Sequence, residues 1–206
     1  MEREGTSKQS SSRRELTSTA IDCFARYGFQ GSSIDRIAAM AGVTKGAIYY
    51  HFRDKEDLLE EAVRDRISEF ESRVQRSCRG CGPTQALARI ADVCTQHARS
   101  QDHPRFAITL MVETLGTNSV VAAELRDMMR RFRSFLKHLV LKGMHSGEFR
   151  ATADAEAIAA SYTGAVLGAE IQFYQDPEHF PFEQSLSSYL DQLMNSIATN
   201  QQETNK

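Results

Sequence analysis

A short segment near the N-terminus combines a cation, hydroxyl groups and aromatic rings at helical spacing. The segment runs from Thr44 to Tyr50, and Ala47 and Ile48 are predicted to face a core. Helix N-termini and hydroxyl groups hold phosphates, whereas a cation and aromatic side chains can reach base edges and thymine methyl groups. This spacing therefore predicts contact with a nucleic acid. The positions predicted to be exposed are Lys45, Gly46, Tyr49, Tyr50 and His51.

Two neighbouring elements must hold this segment in place, and the sequence predicts both. Ser32 is predicted to cap a helix over 33–40 whose apolar side packs on a preceding helix. In the turn that follows, Gly42 is expected to take positive φ and Val43 to fill the core between two crossing helices. Thr44 is then available to cap the next helix. Two short helices joined by such a turn form a helix-turn-helix.

Three cysteines and a histidine in the middle of the chain have a spacing that suits metal ligands. Cys78 and Cys81 are followed by Cys94 and His97, and the latter two would share one helical face. This spacing is compatible with a four-ligand zinc site, and the first two cysteines are also compatible with a reversible disulfide. The third interpretation is buried or loop thiols without a chemical role. We take the third as the working prediction, with a redox-responsive or metal-responsive protein as the alternative.

The elements around these residues are all predicted to be helices. Apolar residues recur at steps of three and four, as in Leu87, Ile90 and Cys94, and no sustained two-residue alternation indicates a sheet. All 4 prolines lie where a helix would begin or has just ended. The sequence thus predicts an all-α fold of about nine helices, over 13–28, 33–40, 44–50, 54–78, 83–100, 104–117, 121–146, 153–175 and 182–199.

Composition limits the class of protein. The 206 residues carry a net charge of −2, but residues 1–55 hold 9 basic and 6 acidic side chains, which is compatible with a polyanionic partner at this end. A protein that coats DNA without specificity would be more basic overall. No apolar run approaches the roughly 18 residues needed to span a bilayer, so no membrane partner is expected. Residues 1–12 lack the apolar core of a secretory signal, and we expect a cytoplasmic protein.

Motifs for catalysis are absent from the sequence. There is no nucleophile elbow, no metal-hydrolase motif and no glycine-rich phosphate-binding motif. The 6 histidines are scattered along the chain. We therefore predict no enzymatic activity, no catalytic residue, no metal ligand and no cofactor.

The segment from Ile34 to Leu59 adds a more specific pattern. It reads IDRIAAMAGVTKGAIYYHFRDKEDLL, and it closely resembles the DNA-binding signature of TetR-type (TetR/AcrR) transcriptional repressors. The similarity lies in the Ile-Ala…Ala-Gly-Val core and in the Ile-Tyr-x-His-Phe-x-x-Lys-Glu-x-Leu run. The resemblance implies a helix-turn-helix DNA-binding domain over 13–53 and a larger effector-binding and dimerisation domain over 54–199. Flexible ends are expected over 1–12 and 200–206.

The resemblance also assigns roles to individual residues. Phosphate contacts are assigned to Ser33, Thr44, Tyr49 and Lys55. Contacts in the major groove are assigned to Lys45, Gly46, Tyr50 and His51. Arg36 is a further candidate for a base or phosphate contact, and Arg13 or Arg14 is expected to reach a phosphate or the minor groove.

The remaining helices are implied to form a homodimer and to hold a small-molecule effector. The helix over 153–175 is rich in small residues that permit close helix approach, and the helix over 182–199 carries a broad apolar stripe. A protein that reads DNA through one short helix usually binds a palindromic site as two copies. We therefore expect a dimeric repressor on double-stranded operator DNA. An effector bound in the body would swing the long fourth helix and weaken operator binding.

The effector pocket implied by the resemblance has a mainly apolar candidate lining. Glu113 is an acid within an apolar helix, and it is expected either to meet a cationic or hydroxylated ligand or to pair with an arginine. Nothing in the sequence names the effector. The candidate lining comprises Phe70, Val74, Ile90, Cys94, Phe106, Leu110, Glu113, Phe132, Phe135, Leu136, Tyr162, Val166 and Phe173.

Overall fold

The computed structural model of the chain describes residues 3–100 and 104–199, with side chains from Ser12 onward. Over these ranges the backbone forms nine helices and one isolated antiparallel bridge but no strand, which confirms the predicted all-α class. No helix of this part of the chain is both long enough and apolar enough to cross a membrane. The helices are α1 (Arg3–Gly31), α2 (Ile34–Ala41), α3 (Lys45–His51), α4 (Lys55–Ser77), α5 (Pro83–Ala98), α6 (Arg105–Glu113), α7 (Val120–Ser146), α8 (Ala155–Gln175) and α9 (Phe182–Ile197).

The first helix is longer than predicted and is interrupted by a glycine. It begins at Arg3, ten residues before the predicted start at residue 13. At Gly28 the backbone has φ 69° and ψ 172°, which are not helical values, so the helix is kinked there. The helix ends three residues later, at Gly31. The expected flexible C-terminus, 200–206, lies outside the described residues.

Prolines mark helix boundaries, as predicted. Pro83 is the first residue of α5, and Pro104 and Pro181 immediately precede α6 and α9. The largest difference from the predicted boundaries downstream of α1 is in α6, which ends at Glu113 instead of 117. The connection that follows contains Gly116 with φ 74°, a conformation that ends the helical path.

The chain packs into two compact units, each with its own core. Of the described residues, unit 1 comprises 3–69 and 104–126, and unit 2 comprises 70–100 and 127–199. These units differ from the domain boundary expected after residue 53. The reason is that α6 packs on α1 and belongs to unit 1, as does the first part of α4.

The core of unit 1 holds the helix-turn-helix in place. Helix α2 packs on both α1 and α3. Phe24 on α1 is 2% exposed, and Ile37 on α2 and Ile48 on α3 are fully buried. Phe106 and Leu110 are the buried residues of α6. Burial of these large apolar side chains, each contributing about 1.5–3 kcal/mol, fixes α2 and α3 against α1.

Unit 2 is built around α5, α8 and α9, which pack on one another in all three pairs. Tyr162 on α8 is 1% exposed and donates a hydrogen bond from its hydroxyl to the Leu87 carbonyl of α5, at 2.7 Å. A Cβ at Gly143 on α7 would lie 2.1 Å from the Phe149 ring, so only glycine fits at that point. The result is one continuous apolar cluster in this unit.

Candidate DNA-binding and effector sites

Caps at the helix ends define the helix-turn-helix. Helix α2 begins after Ser33, whose hydroxyl accepts a hydrogen bond from the Arg36 N–H at 3.2 Å. It ends at Gly42, which has φ 67° in the left-handed conformation and donates its N–H to carbonyls of α2. Thr44 then caps α3 by accepting a hydrogen bond from the Ala47 N–H at 3.3 Å. The predicted motif is therefore formed, with each helix ended by a specific residue.

Two details of the motif differ from the prediction. Ser32 does not cap α2, because its buried hydroxyl donates to the Gly28 carbonyl at 2.7 Å and ties the α1–α2 connection to α1. Val43 is 39% exposed and does not fill the core. The interior there is already occupied by Ile37 and Ile48, neither of which has any exposed surface.

Helix α3 presents an open surface to solvent. Tyr50 is 71% exposed and Tyr49 is 48% exposed. A Cβ at Gly46 would meet only the Thr44 Oγ1, at 3.8 Å, so a DNA strand could approach the backbone closely at this residue. His51 is half-buried, and its ring packs edge-on against the Tyr50 ring at 5.0 Å. The residues predicted to read bases thus lie together on α3, with His51 the least accessible.

The cation on α3 has an acidic partner on α2. Lys45 Nζ lies 2.9 Å from Asp35 Oδ2, and the two side chains are 48% and 69% exposed. The hydrogen bond to Asp35, followed by its charge, raises the pKa of Lys45. Pairs this exposed contribute little to stability. A phosphate or a base acceptor can therefore replace the Asp35 carboxylate at Lys45.

Lys55 makes its contacts within the protein. Its Nζ donates to the carbonyls of Phe29 at 2.9 Å and Ser32 at 3.1 Å, and it lies 4.0 Å from the centre of the Phe29 ring. An ammonium group has three N–H donors, so two of them hold the α1–α2 connection. The phosphate contact assigned to Lys55 stays a prediction and would use the third donor.

Arg36 is also held by the protein. Its guanidinium lies 4.4 Å from the centre of the Tyr27 ring, a cation–π contact. Its Nη1 donates to the Gly31 carbonyl at the end of α1. Arg36 therefore joins α2 to α1, and any base or phosphate contact would have to compete with these interactions.

Arg13 contacts the C-terminal end of α3, and both lie in unit 1. Its Nε pairs with Glu61 at 3.1 Å, and its Nη1 donates to the His51 carbonyl at 3.1 Å. Its guanidinium also lies 4.7 Å from the centre of the Phe52 ring. These three contacts give Arg13 a structural role, whereas Arg14 is exposed and is the better candidate for DNA.

Ten of the residues predicted to line an effector pocket lie together in unit 2. Six of them are buried and four are half-buried in its apolar cluster. The other three, Phe106, Leu110 and Glu113, belong to α6 in unit 1 and do not join this cluster. The ten are Phe70, Val74, Ile90, Cys94, Phe132, Phe135, Leu136, Tyr162, Val166 and Phe173.

Glu113 lies beside α1. Its side chain is exposed, and its Oε1 lies 3.1 Å from the position of a Cβ at Gly28. Arg130 and Arg131, which are close to Glu113 in the sequence, pair elsewhere, with Asp127 and with Glu71. Glu113 therefore packs at the interruption of α1, outside the apolar cluster where a ligand role was expected.

The metal alternative for the cysteines gains no support from the described residues. No three Cys, His, Asp or Glu side chains in the described ranges come close enough to hold a metal ion. Cys94 is fully buried, and the ring of His97 packs against Phe70 at 5.5 Å. Burial raises the pKa of Cys94 and, together with the charge of Cys81, that of Cys78, whereas a reactive thiol needs a lowered pKa. The redox alternative therefore gains no support.

The sequence predictions omit one charged residue of unit 2. Glu170 on α8 is 8% exposed and makes no hydrogen bond or ion pair with any residue in the described part of the chain. Burial raises its pKa to about 8. A signal for it is present in the sequence, because it is an acid on the same helical face as Val166 and Phe173.

Two family models match the chain and together cover more than half of it. The first, described as bacterial regulatory proteins of the tetR family, matches residues 16–62, which contain the helix-turn-helix. The second, described as the tetracyclin repressor-like C-terminal domain, matches residues 83–182. The curated relative named fatty acid metabolism regulator protein, from Bacillus subtilis, is 22% identical over 185 residues, which cover 89% of this chain and 94% of the relative.

Solved structures show the same fold. A TetR transcriptional regulator from Chloroflexus aurantiacus superposes with a TM-score of 0.86 at 22% identity, over 94% of this chain and 99% of that one. A transcriptional regulator from Saccharomonospora viridis, solved in complex with choline, has a TM-score of 0.82 at 21% identity, over 93% and 100% of the two chains. With the motif formed and both parts of the chain matched, this protein belongs to the TetR family of bacterial transcriptional regulators.

Proposed function

We propose that this protein is a repressor that binds a palindromic operator as a dimer and leaves it when a small molecule binds unit 2. The observation that carries the proposal is the capped helix-turn-helix, whose α3 presents Gly46 and Tyr50 to solvent. Ser33 and Thr44, at the N-termini of α2 and α3, would hold phosphates, and Lys45 and Tyr50 would read bases. The protein would meet its operator in the cytoplasm, and we propose no catalytic step.

The test separates operator binding from stability. The operator is first recovered by selection from random-sequence DNA with the wild-type protein. In Gly46→Leu the new side chain enters open space, so the free energy of unfolding should stay equal or rise by about 1 kcal/mol. Operator affinity should fall by roughly a hundredfold or more, because the DNA strand can no longer approach α3. Wild-type affinity in this variant would contradict the proposed reading surface.

One face of α8 is suited to contact with a second copy of the chain. Ala160, Gly164 and Ile171 are exposed and lie on one side of the helix. A Cβ at Gly164 meets nothing within 4 Å, and Ile171 is 41% exposed. Small residues let two helices approach closely, and pairing would remove the isoleucine from water. This face supports the proposed homodimer.

Gly164→Arg tests this face because the arginine has room in a single chain but not between two packed helices. Sedimentation at micromolar concentration should show about twice the chain mass for the wild type and one chain mass for the variant. Gln172→Arg, also exposed on α8 but off this face, is the matched control and should remain dimeric. A dimeric Gly164→Arg would place the interface elsewhere. Leu193 is a poor test site because it is 8% exposed within the core of unit 2.

The effector class has to be inferred from this chain's own residues. The similar proteins point in different directions, because one is named as a regulator of fatty acid metabolism and another was solved with choline. The candidate lining in unit 2 is apolar and aromatic, which suits the body of a small organic molecule.

A further inference from the structure

Glu170 is a buried acid without a partner in unit 2. Its side chain is 8% exposed on the inner side of α8, and no donor or cation in the described ranges contacts its carboxyl group. Other acids of this unit are paired, for example Glu71 with Arg131 at 2.8 Å and Glu156 with Lys137 at 2.8 Å. Burying a carboxyl group without a partner is unfavourable, so its presence in a core calls for an explanation.

Glu170 shares its face of α8 with residues of the apolar cluster of unit 2, Val166 and Phe173. Phe173, one turn further along α8, has its ring 5.8 Å from the Tyr174 ring and 5.3 Å from the Phe182 ring. Cys94 on α5 is close enough to Glu170 for the two to interact electrostatically, and it is fully buried. Aromatic rings attract cations to their faces, and this attraction is strongest where water is excluded.

The other charged and titratable groups near this region do not supply the missing partner. Cys94 is neutral, since burial raises the pKa of its thiol well above the usual range. Arg73 on α4 acts on Cys94 but makes no ion pair with Glu170. Arg99 lies over the Phe173 ring at 5.8 Å and pairs with Glu183 at 3.5 Å. The described residues therefore leave the carboxyl group of Glu170 without a partner.

We propose that the effector is an organic cation with an apolar body, and that Glu170 receives its ammonium group inside unit 2. The inference rests on the proposed function, in which a small molecule binds this unit. On binding, the Glu170 carboxyl group gives its proton to solvent and pairs with the cation, while the apolar body packs among the aromatic rings. An anionic ligand could only accept a hydrogen bond from the protonated carboxyl group, whereas a cation forms an ion pair with the carboxylate and should bind more tightly.

Three probes with the same eight-carbon chain test the class: octyltrimethylammonium, n-octanol and octanoate. Calorimetric binding to the DNA-free wild-type protein should be at least tenfold tighter for the cation than for octanoate. Glu170→Gln should weaken cation binding at least tenfold and change octanol binding less than threefold. Glu156→Gln, the same substitution at an exposed site on α8, should bind all three as the wild type does.

The inference is overturned if the wild type does not bind the cation, if octanoate binds as tightly, or if Glu170→Gln retains cation affinity. Operator release, measured separately, distinguishes this inference from the proposed function. If the cation binds in a Glu170-dependent manner but operator affinity stays unchanged, the cation site is supported. The proposal that an effector in unit 2 releases the operator is then contradicted. Operator release by octanoate without cation binding supports the repressor mechanism and overturns the cation site.

Discussion

The charged side chains at the two candidate sites differ: those around α3 in unit 1 have partners within the protein, whereas Glu170 in unit 2 has none among the described residues. Around α3 in unit 1, Lys55 and Arg13 donate to backbone carbonyls of the protein. Lys45 is paired as well, with Asp35. In unit 2, Glu170 is buried on α8 and has no hydrogen bond or ion pair among the described residues. A paired charge stabilises the protein as it stands, whereas a buried and unpaired carboxyl group favours protonation or a partner from outside.

This difference separates structural charges from charges available for recognition. In unit 1, the internal contacts of Lys55 leave it one free donor, while the exposed pair of Lys45 is weak and exchangeable. In unit 2, the missing partner of Glu170 marks a place where a ligand would improve the electrostatics. Removing the charge of Lys55 should therefore destabilise unit 1. Removing the carboxyl group of Glu170 should stabilise unit 2.

The largest expected effect is on the pH dependence of stability. Burial raises the pKa of Glu170 from 4.5 to about 8, so between these values the folded protein holds a proton that the unfolded chain releases. Stability should therefore fall as the pH rises from 4.5 to 8. Glu170→Gln removes this loss and should be more stable than the wild type at pH 8, by on the order of 3 kcal/mol. Urea unfolding at pH 5 and pH 8 measures the difference.

Glu156→Gln provides the control for this measurement, because its carboxyl group is 67% exposed and already paired with Lys137. It should follow the wild-type pH profile. Parallel profiles for the wild type and Glu170→Gln would mean that the buried carboxyl group has a partner in solution. The contrast between the units would then not hold.

The second prediction concerns the exchangeable cation on α3. Lys45→Ala should leave stability nearly unchanged, because its pair with Asp35 is exposed. It should reduce discrimination between bases at a few positions of each half-site by roughly tenfold or more, since base edges differ along the duplex. Selection from random-sequence DNA measures this preference. Retention of the wild-type preference with a uniform loss of affinity would place Lys45 on a phosphate.

Two further variants sharpen this result. Asp35→Asn removes the competing carboxylate, so affinity for operator and for random DNA should rise by roughly threefold or more. Lys142→Ala removes an exposed cation in unit 2 and should change neither affinity nor preference. A fall in affinity on Asp35→Asn would mean that Asp35 itself accepts a hydrogen bond from a base.

The third prediction tests the structural cation of unit 1. Lys55→Met removes two hydrogen bonds to carbonyls and a cation–π contact, so unfolding free energy should fall by about 1–2 kcal/mol. If the third donor also reaches a phosphate, specific and random DNA should weaken alike, and the salt dependence should lose about one unit of slope. An unchanged slope would assign Lys55 to structure alone. Lys142→Met is the matched control.

Local patterns in the sequence predict the helix-turn-helix well. Gly42 and Thr44 act on backbone groups within a few residues of themselves, so their roles follow from residue type and position. The same holds for the prolines at helix boundaries. Ser32 is the exception, because its hydroxyl bonds to Gly28 of the preceding helix instead of its own.

Contacts between distant parts of the chain are not readable from spacing. Arg13 meets Glu61 and the end of α3, and Lys55 meets carbonyls more than twenty residues earlier, so a DNA role and a structural role look alike in the sequence. The candidate pocket shows the same limit. Helical spacing identifies apolar faces but not which unit each face joins. The candidate lining therefore combines residues of α6, which belong to unit 1, with residues of unit 2, and it omits Glu170.

The smallest predicted effect separates a phosphate contact from base reading at adjacent positions of α3. Tyr49→Phe removes only a hydroxyl group, so operator affinity should fall by about 0.5–1.5 kcal/mol, equally for operator and random DNA. Phosphates are identical along the duplex, and losing one contact to them cannot alter base preference. Tyr50→Ala is the comparison, since Tyr50 is 71% exposed on the same helix and is assigned to the groove. If Tyr49→Phe changes base preference in a selection experiment, the Tyr49 hydroxyl reads a base. Tyr49 would then belong with Tyr50 among the base-reading residues of α3.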